Sequence, residues 1–80
     1  FRAEHYAEAR HQAEHVLRRS STIPIAWEIA IVSSARLGDR QRLLEYQKAL
    51  RKADWSEQQQ RARKLLLRRL DEAARTVHVD

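Results

Sequence analysis

The sequence predicts an all-α fold, four antiparallel helices packed as one small domain spanning residues 1–80. Three observations carry that prediction. The 80-residue chain holds one Gly and one Pro, so little in it interrupts a helix. Ala, Leu, Arg, Glu and Gln, all good helix formers, dominate it. Apolar residues recur at three- and four-residue intervals over most of the length, the period of one helical face. With 42% hydrophobic and 34% charged residues, the composition is that of a globular chain rather than a disordered tail.

The first helix is expected over about Arg2 to Arg19, with Tyr6, Ala9, Ala13, Val16 and Leu17 on one face. Ser20-Ser21-Thr22 then breaks the pattern. Pro24 suits the first turn of a second helix, where its missing N–H would have had no partner, and Ser21 or Thr22 is the expected cap. That second helix, about Pro24 to Leu37, is apolar on nearly every side and is expected to be buried, with the other three packed around it. Gly38 ends it and Asp39 caps a third helix, about Arg40 to Ala53, with Leu43, Tyr46, Leu50 and Ala53 inward. Helices two and three are expected to form the central hairpin. Asp54-Trp55-Ser56-Glu57 is the next break, and Ser56 with Gln59 has the form of a capping box. The fourth helix runs about Glu57 to Thr76, with Ala62, Leu66, Leu70, Ala73 and Val77 inward. Val77-His78-Val79-Asp80 alternates, as a short strand or a frayed end would.

Residues 26–50, AWEIAIVSSARLGDRQRLLEYQKAL, resemble one degenerate tetratricopeptide (TPR) repeat. The resemblance rests on Trp27, Gly38-Asp39, Leu43-Leu44, Glu45-Tyr46 and Ala49-Leu50. It departs at Ile31, where the family usually has a small residue, in the spacing of Tyr46 to Ala49, and in lacking the closing Pro. A generic helical hairpin accounts for the same Gly exit and Asp cap. The resemblance implies a scaffold that binds a protein partner and carries no chemistry of its own, one unit of a stack that exposes a concave face. The chain opens at Phe1 and contains no Met, so it is expected to be a domain within a longer protein.

No Cys is present, which rules out disulfides and thiolate metal sites and leans toward an intracellular setting. The longest apolar stretch, Ile23 to Val32, contains Glu28 and falls short of the roughly 20 residues that span a bilayer, so no membrane partner is expected.

The stretch EHYAEARHQAEH, residues 4–15, carries three Glu and three His. At about 100° per residue, Glu4, Glu8, His11 and His15 share an arc of about 60°. Glu8 and His11 have the Glu-x-x-His spacing of di-iron bundles, and His11 with His15 has the i, i+4 spacing that can share one Zn²⁺. Three readings stand: a metal site, a solvated face with weak Glu–His pairs, and a contact with a second copy of the chain. The ladder lies opposite the apolar face, and no other helix offers a Glu-x-x-His. No cofactor is therefore expected, with Zn²⁺ as the alternative. Catalysis has less support: Ser33 and Ser34 lie in the apolar helix without a nearby His, and Glu28 sits in a first turn that favours a carboxylate.

The net charge of +5 is unevenly placed. Residues 36–69 carry eleven Lys or Arg against four acidic residues. On the fourth helix Arg61, Lys64, Arg68 and Arg75 form one stripe opposite Leu66 and Leu70. Such a stripe suits nucleic-acid phosphates or an acidic protein, and it also serves solubility alone. No aromatic interleaves with these cations, so stacking on single-stranded bases is not expected. The preferred expectation is a non-catalytic interaction module. A nucleic-acid-binding domain using helices three and four, and a metal-binding bundle, are the alternatives.

Overall fold

A computed structural model of the protein describes residues 3–77. Among them are four α-helices, α1 (Ala3–Arg19), α2 (Pro24–Arg36), α3 (Arg40–Lys52) and α4 (Gln60–Thr76), with one 3₁₀ turn, Glu57–Gln59, leading into α4. No strand occurs among the described residues. Arg2, the expected start of the first helix, and the alternating His78-Val79-Asp80 lie outside them.

Side-chain bonds fix the direction of each helix. Arg40 Nε donates to the Ala74 carbonyl at 3.2 Å, so the start of α3 meets the end of α4. Gln59 Nε2 donates to the Thr22 carbonyl at 3.0 Å, and Arg69 pairs with Glu28 further along at 2.8 Å. Helices α2 and α4 therefore run parallel. Arg10 reaches Asp39 and Glu14 reaches Tyr46, which makes α1 parallel to α3. Sequence neighbours are antiparallel throughout, as short connections require.

Helix α2 packs against all three others, and α3 packs on α4. The expected central position of α2 is thus met, although its closest partner is α1 rather than α3. The reason is side-chain size. Ala9 and Ala13 of α1 face Ala26 of α2 across the shallow groove between them, and small residues let backbones approach. The core gathers Trp27 and Ile31 of α2, Leu43, Tyr46 and Leu50 of α3, and Leu66 and Leu70 of α4. Trp55, in the break before α4, turns inward and joins them, its Nε1 donating to the Leu50 carbonyl at 2.9 Å.

The caps follow the sequence at three of four places. Gly38 has φ +71°, the left-handed conformation that ends α2, with open space where a Cβ would stand. Asp39 Oδ1 accepts from the Arg42 N–H at 3.1 Å. Before α4, Ser56 N–H and Oγ both donate to Gln59 Oε1. At α2 the expected Ser21 or Thr22 cap gives way to Ile23, which makes no side-chain cap bond. Pro24 has no N–H to satisfy, and the carbonyls of Ser21 and Thr22 are occupied by Trp27 Nε1 and Gln59 Nε2. The second departure concerns cover. Ile25, Ile29 and Val32 of α2 are 66%, 42% and 44% exposed.

Candidate functional site

Two surfaces and one buried network concentrate the chemistry of the molecule. The network joins α1 to α3. Tyr46 Oη donates to Glu14 Oε2 at 2.7 Å and accepts from Ser34 Oγ at 3.5 Å. Its ring meets Trp27 edge to face, centroids 5.8 Å apart at 85°. Burial pushes the Tyr46 phenol well above its ordinary range; the Ser34 bond opposes that rise, and the hydrogen-bonded Glu14 carboxylate adds to it. Arg42 holds the same Glu14 oxygen at 3.2 Å, and Arg10 pairs with Asp39 at 2.9 Å. No buried side-chain nitrogen or oxygen among the described residues lacks a partner.

The first surface is apolar. Among the described residues the exposed large hydrophobic side chains are Val16, Ile25, Ile29, Val32 and Leu65. Ile25, Ile29 and Val32 repeat at four and three along α2, one outward stripe. Val16 borders the groove between α1 and α2, together with Ile25 and Ile29. Leu65 precedes Arg69 by one turn as Ile25 precedes Glu28. The parallel register set by the Glu28–Arg69 pair therefore brings Leu65 to the same level. A second groove of about 450 Å³ runs between α2 and α4, floored by Ile31, Val32, Ala35 and Ala73 and edged by Glu28, Arg36, Arg69 and Glu72.

The second surface is basic. Arg61, Lys64 and Arg68 are exposed on the outer side of α4, as the stripe predicted. Arg75 continues the stripe but is paired with Asp71 at 2.7 Å. The antiparallel register fixed by Arg40 and Ala74 places Arg51 of α3 level with Arg63 of α4. Lys48 and Lys52 lie on the same outer side of α3, beside a shallow depression lined by Gln41, Leu44 and Arg51. None of Lys48, Arg51, Lys52, Arg61, Arg63, Lys64 or Arg68 has an ion-pair partner among the described residues.

Glu4, Glu8, His11 and His15 are all exposed on α1. Among the described residues no three His, Cys, Asp or Glu side chains come together in a way that could hold a metal ion. Ser33 and Ser34 are 3% and 0% exposed, and Glu28 is engaged by Arg69. No helix among the described residues is long and apolar enough to cross a membrane.

The structure thus gathers Arg61, Lys64 and Arg68, removes Arg75 by pairing it, and adds Lys48, Arg51 and Lys52 from α3. It also adds the apolar stripe. A signal for that stripe was present: a helix apolar on every side exceeds what three short neighbours can cover. The chain matches no protein-family model, and no curated protein or solved structure matches it.

Proposed function

We propose that this chain is a non-catalytic helical module that binds a protein partner through the apolar face of α2. The observation that carries the reading is the uncovered Ile25, Ile29 and Val32 stripe on the one helix that packs against all the others. Contiguous exposed apolar surface rimmed by charge marks interaction sites. The rim is in place, with the Glu28–Arg69 pair, Arg36 and Glu72 around the α2–α4 groove. An amphipathic helix suits such a groove, because its own apolar side chains repeat at the same three and four spacing. The TPR-like reading of residues 26–50 is part of this proposal. It is supported by the parallel course of α2 and α4, with α3 between them in sequence and packed on both. In that reading α2 and α3 are one hairpin and α4 begins the next.

Selection of helical peptides against the intact chain tests the proposal. Binders with an apolar stripe are expected. Their affinity should tolerate salt, because apolar burial is not screened. It should fall at least tenfold, by the usual weight of central apolar anchors, in a chain carrying Ile29→Lys and Val32→Lys. The thermal midpoint of that variant should hold, since both side chains already face water. Binders that ignore the two substitutions, or no binders at all, would overturn the reading.

A further inference from the structure

We infer that the outer surface shared by α3 and α4 binds the phosphate backbone of duplex nucleic acid. The surface lies away from the apolar face and goes beyond the protein-binding reading. Its residues are Lys48, Arg51 and Lys52 of α3 and Arg63, Lys64 and Arg68 of α4, none of them ion-paired among the described residues.

Three arguments separate this cluster from an ordinary solvated face. First, the acids that do pair in this chain engage other cations, three of them on the same two helices. Arg10 meets Asp39, Arg42 meets Glu14, Arg69 meets Glu28 and Arg75 meets Asp71. The six cations of this cluster stand outside every one of these pairs. Second, the cluster is built by two helices, not one. The Arg40–Ala74 bond sets the antiparallel register and brings Arg51 level with Arg63. Packed helix axes lie about 8–10 Å apart, comparable to the Debye length at physiological salt, so like charges at one level are only partly screened from each other. That arrangement opposes folding on its own and is relieved by a polyanion. Third, three of the six cations are arginines, Arg51, Arg63 and Arg68, whose fork of donors matches a phosphate bidentately.

The choice of duplex follows from the aromatic residues. Trp27, Tyr46 and Trp55 are buried in the core, 3%, 6% and 7% exposed. None stands on the basic surface to stack an unpaired base, so contact is with backbone phosphates and carries no sequence readout.

The test is fluorescence anisotropy with a labelled DNA duplex of arbitrary sequence, titrated with the intact chain at several salt concentrations. Three chains are compared: the unchanged one, K48Q/R51Q/K64Q, and R18Q/R19Q/R36Q, which removes equal charge elsewhere. The unchanged chain should bind with affinity falling steeply in salt. K48Q/R51Q/K64Q should reduce the log–log salt slope by between about two and three. It should also weaken binding more than tenfold, while R18Q/R19Q/R36Q changes both only slightly. Equal losses in the two variants would reduce the effect to net charge and overturn the assignment. So would absence of binding at low salt. Displacement of the duplex by polyglutamate at matched charge would also overturn it, in favour of an acidic protein partner.

Discussion

Tyr46 ties three helices together through one oxygen. Its hydroxyl donates to Glu14 of α1 and accepts from Ser34 of α2, while its ring packs on Trp27. Removing the hydroxyl leaves the Glu14 carboxylate with Arg42 alone on that side. Tyr46→Phe should therefore cost about 1–2 kcal/mol in urea denaturation at neutral pH. The pH dependence has a definite sign. Burial disfavours the phenolate, so the folded chain holds this proton more tightly than the unfolded chain does. The contribution is fully present below about pH 10, the unfolded value, and is lost as pH rises beyond it. The limiting slope is about 1.4 kcal/mol per pH unit. Wild type should lose stability above pH 10 more steeply than Tyr46→Phe, and parallel alkaline limbs would refute the account. Nothing local in the sequence announces this network. Glu14 and Tyr46 are 32 positions apart, and only the α1–α3 register brings them together.

At the scale of the helices, boundaries were largely legible because they rest on local chemistry. Gly38 can adopt positive φ without strain, Asp39 can cap from one position, and Ser56 with Gln59 needs only the right spacing. The α2 cap was misread because its outcome is decided elsewhere. Gln59, from the turn before α4, occupies the Thr22 carbonyl. Trp55 was placed in a break, correctly, but break signals say nothing about whether a side chain turns inward. The apolar run of α2 announced burial and concealed which flank would stay open. The basic surface was half legible for the same reason: charge bias reads from composition, whereas placing Arg51 level with Arg63 across the α3–α4 seam needs the register. These differences give an element-level prediction. Asp39→Ala removes both the α3 cap and the Arg10 partner and should cost about 1–2 kcal/mol. Asp39→Asn retains the cap and should recover most of that. Thr22→Ala, at a position first read as a cap, should stay within about 0.5 kcal/mol. Chemical denaturation of the three variants checks the ranking, and a Thr22→Ala loss equal to that of Asp39→Ala would contradict the observed caps.

Across the whole molecule the four helices are not held equally. Helix α2 touches every other helix, and Ala30, Ser34, Leu43, Leu50 and Leu70 are fully buried around it. Helix α1 lies closest to α2, yet it approaches through alanines and, among the described residues, contributes only Ala13 and part of Leu17 to the core. Close backbones with small side chains bury little apolar area, and stabilisation follows area. Polar bonds to α3 also hold α1: Arg10 to Asp39, and Glu14 to Arg42 and Tyr46. These ion pairs are partly exposed, so each contributes no more than about 1 kcal/mol and weakens in salt. The basic seam between α3 and α4 responds in the opposite sense, because salt screens its repulsion. Native-state hydrogen exchange should therefore separate the two halves. Amides of α1 should open with a lower free energy than those of Ala30 to Ser34 in α2. Raising the salt should lower protection in α1 while leaving α3 and α4 unchanged or better protected. Identical opening energies in α1 and α2, moving together with salt, would mean that the alanine interface alone binds α1 into a single cooperative unit, and that its polar bridges to α3 add nothing to the fold.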